Sequence, residues 1–407
     1  MDSLNQLILK HGKPDALIDH WDKNAKKIAI WGFKEIFMCD TSGCNLNGKK
    51  INGNPIDICN EILKRWENES TSTYAIGYIS YDIKNLLFPH LNFKKINNQI
   101  LLWFGKPLMM KEYSISKKFN HNNPNIKTID VKKNIPNLEY YEKEISKIKN
   151  YLKLGETYQI NYSNPIKCKY KESKFNLYMY LRNIAKPPNG MYLNTGENQI
   201  LSFSPEKFFE VKNNIIHTYP IKGTINRSPV VLEDEELKTK LKNSSKDRAE
   251  HLMIVDLLRN DLGKICKYGT VKINNLYNIK SFETIHHMET DVYGKLLSEI
   301  EFKEIICALF PSGSITGAPK ERSMEIIDEI ENYNRGVYTG AIGYLSTNGY
   351  MNFNVAIRTM YFNENNGLYP IGGGIVWDSI AKNERIEALN KAKIIDNVLN
   401  KRVKEYA

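Results

Sequence analysis

Phe310-Pro-Ser-Gly-Ser-Ile-Thr-Gly-Ala-Pro-Lys320 crowds small residues, two prolines and two glycines ahead of a helix-like run. Such a loop offers backbone N–H groups and hydroxyls to an anion at a helix N-terminus. It is not a Walker loop, because Pro319 precedes Lys320 and the glycine spacing differs. Taken alone, a tight turn explains it as well. Upstream, Asp247 to Leu262 reads as a helix, with Asp247 as N-cap and Gly263 as stop. Further back, Leu138, Tyr141, Ile145, Ile148 and Leu152 recur at helical spacing before Gly155, and Thr157–Tyr162 reads as a strand. Downstream, Ser379 is placed to cap a third helix running to about Leu399.

Composition sets the class. The 407 residues are 42% hydrophobic and 25% charged, which describes a folded globular chain rather than a disordered or fibrous one. No apolar run reaches the roughly 20 residues that span a bilayer. The start, Met1-Asp-Ser-Leu-Asn, has an acid where a signal peptide has a base, so a cytoplasmic location is the expectation. The net charge of +11 is spread among interleaved acids, as in Glu233-Asp234-Glu235-Glu236, and predicts no nucleic-acid partner. Six scattered cysteines without a CxxC pair predict reduced, mostly buried thiols. Residues 112–136, rich in Lys, Asn and Ser, read as a connecting segment between 1–111 and 137–407.

Several segments carry potential chemistry, each with a plainer alternative. Gly372-Gly-Gly374 lets a ligand approach the backbone, or is a bulge. Glu384 and Glu387, three apart, share a helix face, and with Glu250 they suit a hard cation such as Mg²⁺. Otherwise they are solvated glutamates. Lys222, in Tyr219-Pro-Ile-Lys-Gly-Thr224, becomes a nucleophile if buried near another cation, and is otherwise a surface lysine. His286 and His287 point to opposite faces of a strand, so one of them can face a site.

In this order the segments resemble the chorismate-utilising enzymes, the family of anthranilate synthase component I and aminodeoxychorismate synthase component I. The matching runs are Thr157-Tyr-Gln-Ile-Asn161, Ser204-Pro-Glu206, Pro220-Ile-Lys-Gly-Thr224 and Asp247–Gly263. They continue with Phe310–Lys320, Tyr338-Thr-Gly-Ala-Ile-Gly-Tyr344, Ala356-Ile-Arg358 and Gly372-Gly-Gly-Ile-Val376. The N-terminal third matches mainly through Gly77-Tyr-Ile-Ser-Tyr-Asp82.

The resemblance implies a mixed α/β (α+β) fold: a large two-sheet sandwich with helices between, the whole chain packed as one unit. It implies that Glu250 and Glu387 hold Mg²⁺ with Glu384 near it, and that the metal clamps the ring carboxylate of chorismate. Arg358 and Tyr338 would hold the enolpyruvyl carboxylate. Thr316 and the Gly372–Gly374 backbone would complete the pocket, with His287 facing the substrate.

Two positions select the branch. At Lys222, anthranilate synthases usually carry Ala and aminodeoxychorismate synthases Lys, whose amine attacks ring C2. Glu206 would be the general acid, and its 16-residue separation from Lys222 fits neighbouring strands of a hairpin. At Gln159, water-adding members usually carry a lysine base, so Gln implies ammonia as nucleophile. The resemblance thus implies amination of chorismate at C4, for 4-aminobenzoate and folate, with anthranilate formation as the alternative. A Gly-x-Cys-x-Gly elbow is absent, so ammonia would come from a separate glutamine amidotransferase subunit. The Leu-Leu-Glu-Ser run of tryptophan-inhibited members is also absent. Trp377 stands where the family usually has a small residue.

Overall fold

Every residue of Thr73–Ile79 is buried, yet the strand serves two different cores. Ile76 and Tyr78 join one cluster, while Ala75 and Ile79 join another. Side chains alternate across a strand, so this strand lies between two packed layers. Leu102 and Phe104 alternate with Trp103 in the same way, as does Tyr192 with Met191 and Leu193.

The computed structural model describes residues 2–21, 26–114, 128–131, 136–282, 285–396 and 398–399. Its strands are β1 (Ala16–Asp19), β2 (Ile28–Asp40), β3 (Gly43–Leu46), β4 (Lys49–Ile51), β5 (Thr73–Ile79), β6 (Ile100–Glu112), β7 (Asp130–Val131), β8 (Gln159–Lys169), β9 (Asn189–Asn194), β10 (Asn198–Ser204), β11 (Lys207–Lys212), β12 (Ile215–Thr218), β13 (Ile221–Asn226), β14 (Lys272–Ser281), β15 (Ile285–Lys295), β16 (Gly317–Ala318), β17 (Ala341–Ser346), β18 (Tyr350–Val355), β19 (Thr359–Asn363) and β20 (Asn366–Ile375). Its helices are α1 (Leu4–His11), α2 (Pro55–Asn68), α3 (Lys84–Leu87), α4 (Leu138–Lys153), α5 (Lys174–Ala185), α6 (Val231–Asn243), α7 (Ser245–Gly263), α8 (Phe302–Leu309), α9 (Lys320–Ile330), α10 (Ala381–Lys391) and α11 (Lys393–Asp396).

Among the described residues, the named strands pair antiparallel throughout. One wing runs β8–β20–β19–β10–β9–β1–β2. The other runs β6–β5–β17–β18–β11–β12–β15–β14. The long strands β2 and β6 pair with each other and join the wings, with a bulge at Phe33/Glu35 where the ladder bends. The chain also crosses directly from β10 to β11 through Pro205-Glu206, and from β18 to β19 through Ala356–Arg358. The crossings are tied down, because Val355 N–H donates to the Glu206 carbonyl and Phe203 N–H to the Arg358 carbonyl.

The mixed α/β class and the large sheet are as the resemblance implies, but the helices are not between the sheet layers. The inner cluster is built of strand and loop side chains, among them Ile30, Tyr78, Trp103, Leu193 and Ile342. Helices cover the outer faces: α5, α10 and α11 on the first wing, and α2, α7 and α8 on the second. The apolar stripes of these helices each need only one sheet face, whereas the central strands are apolar on both.

Three local expectations also shift. Ser244, not Asp247, caps α7, accepting the Asp247 N–H at 3.2 Å, and Gly263 lies inside the helix. The third helix stops at Lys391, and its continuation is the separate turn α11. Ser379 does not cap it: its hydroxyl accepts the Val376 N–H and donates to Glu384. Much of the 112–136 connection lies outside the described residues, and β6 occupies its beginning.

All six cysteines are free, five of them buried. Among the described residues no helix is long and apolar enough to cross a membrane.

Candidate active site

Glu206 sits where the chain passes from one wing to the other. Its N–H donates to Ser204 Oγ at 3.2 Å and its carbonyl is held by Val355, so the backbone is fixed on both sides. The side chain is 6% exposed and accepts from the Ser314 hydroxyl at 2.6 Å. Burial pushes the carboxyl up to about 7, against the opposing pull of Ser314 and the Lys222 amine. Such a group holds a proton near neutrality and can give it up.

Lys222 reaches the same point from β13. Its ammonium donates to the Ser314 carbonyl at 3.4 Å, so Ser314 touches both Glu206 and Lys222. Burial lowers the amine's pKa below that of an ordinary lysine, partly offset by the carboxylates of Glu250 and Glu206. The two residues are not on adjacent strands of a hairpin. β11 pairs with β12, whereas β13 pairs with β15 beyond the Tyr219-Pro220 bend. A bulge at Gly223 (φ 76°) in β13 sets the lysine's direction.

The glycine run on β20 forms the floor. A Cβ on Gly374 would lie 3.1 Å from Gln159 Nε2 and 3.3 Å from Lys222 Nζ. A Cβ on Gly373 would lie 3.6 Å from Glu387 Oε1 and 4.0 Å from Glu384 Oε2. Gly372 offers its carbonyl to Lys391 Nζ at 2.8 Å. Gln159 is fully buried, and neither amide atom has a hydrogen-bond partner. A buried amide is normally paired, so this one is poised for a ligand.

Glu384 and Glu387 lie over Gly373, and Glu250 on α7 feels the charge of Glu384. Burial, reinforced by Asp247 and Glu384, raises the pKa of Glu250. Burial and Glu387 raise that of Glu384, while Lys391, at 2.9 Å from Glu387, lowers that of Glu387. Among the described residues no three acidic, His or Cys side chains stand close enough to enclose an ion by themselves. The donor set nonetheless fits a hard cation that takes one or two carboxylates and fills its shell with water and substrate oxygen.

The remaining candidates take up varied positions. His287 is buried, its ring 4.6 Å from that of Phe282 and its Nε2 3.5 Å from Glu289. His286, on the opposite face, bonds Asp234 and Ser281 instead. Arg358, in a left-handed conformation (φ 50°), has no carboxylate partner among the described residues, and burial lowers its pKa. Tyr338 is buried, and that burial raises its phenol pKa. Thr316 spends its hydroxyl on the Ser312 carbonyl. Lys320 is held by the buried Asp261 carboxylate at 2.6 Å and the Leu309 carbonyl rather than offered to a ligand. His287 and Arg358 both line a cleft of about 1540 Å³ that opens between the wings.

Sequence reasoning missed Ser314 and Lys391. Lys391 carried a signal, one turn after Glu387. Ser314 lay inside the quoted loop without anything to single it out.

The model of the family described as chorismate binding enzyme matches residues 20–397. Anthranilate synthase component 1 of Saccharolobus solfataricus is 33% identical over 369 residues, covering 87% of this chain and 88% of that protein. Aminodeoxychorismate synthase component 1 of Escherichia coli is 39% identical over 263 residues, 65% of this chain and 58% of that protein. The crystal structure of anthranilate synthase component I from Streptococcus pneumoniae superposes with a TM-score of 0.81 at 26% identity, over 96% of this chain and 97% of the other. With Lys222, Gln159, Glu384 and Glu387 gathered at the glycines of β20 and the family model matched over residues 20–397, the chain belongs to the chorismate binding enzyme family.

Proposed function

We propose that this chain replaces the C4 hydroxyl of chorismate with ammonia, giving 4-amino-4-deoxychorismate. The observation that carries this is the contact of Lys222 and Glu206 with one residue, Ser314. It supports a reading in which Lys222 is the nucleophile and Glu206 the proton donor acting on one substrate.

The chemistry closes on itself. The neutral Lys222 amine attacks ring C2, both conjugated ring double bonds shift (C1=C2 to C1=C6 and C5=C6 to C4=C5), and the C4–O bond breaks. Glu206 gives its proton to the departing hydroxyl, which leaves as water. Ammonia then attacks C4, and the C2–N bond breaks to return Lys222 as a neutral amine. The new C4 ammonium passes a proton to Glu206, restoring the acid. Two allylic displacements replace one difficult substitution.

Arg358 and Tyr338 would orient the enolpyruvyl carboxylate, for which a guanidinium fork is suited. Glu250 and Glu387, with Glu384 near, would hold Mg²⁺, which when bound offsets charge on the ring carboxylate as the hydroxyl leaves. Gln159 would hydrogen-bond ammonia or substrate without acting as a base for water. The names of the relatives, as component 1, support a separate amidotransferase subunit as ammonia source.

A second reading, anthranilate formation, is favoured by the near full-length relative from Saccharolobus solfataricus. Product identity decides. The purified chain with chorismate, Mg²⁺ and an ammonium salt at mildly basic pH is expected to give aminodeoxychorismate by mass, without pyruvate. Anthranilate plus pyruvate overturns the C4 assignment. Lys222→Ala is expected to slow ammonia-dependent turnover by about 10²-fold or more, in the range of lost general catalysis. Chorismate binding by calorimetry should change only a few-fold. Wild-type turnover in the variant would rule out the covalent role.

A further inference from the structure

Arg335 lies outside every role assigned so far, yet its buried guanidinium contacts four separate parts of the chain. Nε and Nη2 donate to both oxygens of Glu331, each at 2.8 Å. Nη1 donates to the Ile315 carbonyl at 3.0 Å and to Thr339 Oγ1 at 3.2 Å. Nη2 also donates to the Asn161 carbonyl at 2.6 Å. The guanidinium stacks over the Tyr81 ring at 4.6 Å.

Two of these contacts reach the site. Ile315 follows Ser314, the residue that touches Glu206 and Lys222. Asn161 is two residues from Gln159 and pairs with Gly374. Glu331 pulls on the same strand, accepting from the Ser163 N–H at 2.8 Å and hydroxyl at 2.7 Å. The segment carrying Arg335 is itself held from the N-terminal third. Gly336 N–H donates to Asp82 at 2.7 Å, and the Gly336 carbonyl accepts from Ser80 Oγ at 3.0 Å.

A buried ion pair is weak evidence of stabilisation, since apolar residues of similar volume often serve as well. What singles out this pair is where its remaining donors go. A planar fork can hold two carbonyls at a fixed separation while paired with a carboxylate, which an ammonium cannot do.

We propose that Arg335 is the positioning residue of the site: clamped by Glu331, it fixes the Ser314 loop against the Gln159 strand. The roles given to Ser314 and Gln159 rest on the proposed amination, whereas the clamp does not.

The test is Arg335→Lys in the full-length chain, measured for melting temperature, chorismate affinity by calorimetry, and turnover with ammonium across pH. The expected variant is folded and binds chorismate within about threefold of wild type, while kcat falls at least 30-fold. With Ser314 displaced, Glu206 loses a bond that favours its ionised form. Lys222, Glu289 and Lys391 also bear on Glu206 and remain in place. The alkaline limb of the pH profile should therefore move up. Should kcat on the folded fraction and the pH limb both stay as in wild type, Arg335 is only structural and the inference fails.

If Arg335→Lys does not fold, Ser163→Ala loosens Glu331 from the strand more gently. It should lower kcat three- to tenfold with chorismate affinity kept, and an unchanged kcat would overturn the inference. Should wild type convert chorismate to a different product, the C4 assignment fails, and the clamp is judged by the same kcat and pH criteria on that product.

Discussion

Burying Glu206 works against the fold at neutral pH. Its carboxyl titrates at about 7 in the folded chain, against roughly 4.3 when unfolded. The folded state therefore holds a proton that the unfolded state has released. Stability is full below the unfolded pKa and is lost as pH rises through the folded one, by roughly 4 kcal/mol at most. Glu206→Gln keeps an acceptor for the Ser314 hydroxyl but has no charge to bury. It should be inactive, yet more stable than wild type at pH 8 by a few kcal/mol, with the gap closing near pH 4. Denaturant titrations at both pH values would show this; an equal gap at both would mean that burial does not govern Glu206. At this scale the sequence was informative where a residue type is chemically unusual in its setting. Lys222 between Pro-Ile and Gly-Thr, and the glutamates spaced on one helix face, could be picked out. Partnerlessness could not: that Gln159 lacks hydrogen bonds and Arg358 lacks a carboxylate depends on neighbours distant in sequence.

Among the elements, β20 shows how one glycine run serves two purposes. A Cβ on Gly372 would meet the Tyr162 carbonyl at 2.2 Å, a backbone atom that cannot step aside. A Cβ on Gly374 would meet only the ends of Gln159 and Lys222. Gly372→Ala should therefore lower the melting temperature, consistent with a loss of about 1–3 kcal/mol on overpacking. Gly374→Ala should melt like wild type while losing most of its turnover. Equal melting losses in both would refute the division. Periodicity placed α4, whose apolar face repeats regularly, while capping and stop signals placed α7 and α10. Their ends were harder. Ser244 precedes Asp247 by three residues and either could cap, and the stop at Lys391 has no glycine or proline to announce it.

For the whole molecule, the N-terminal third is woven into both wings. β1 pairs with β9 and β5 with β17, while β2 and β6 join the halves. A chain lacking residues 1–111 would expose the partner edges of β9 and β17 and half of the inner cluster. It should fail to fold, and the full chain should melt in a single calorimetric transition; a folded, chorismate-binding fragment 112–407 would contradict this. Neither pairing is visible in the sequence, since each spans well over a hundred residues and leaves no local mark. The outer position of the helices went unread for the same reason: periodicity shows that a helix has an apolar face, not which layer receives it.

The two crossings between wings carry Glu206 and Arg358 on backbone that is itself part of the frame. Gln159 and Lys222, by contrast, project from strands and end against the glycine floor at Gly374. A scaffold arranged like this separates what must stay constant from what can be exchanged. On the proposed amination, altering one projecting side chain would offer a different nucleophile to the same substrate while leaving the frame untouched, so a change of reaction would need a substitution rather than a rebuilt loop.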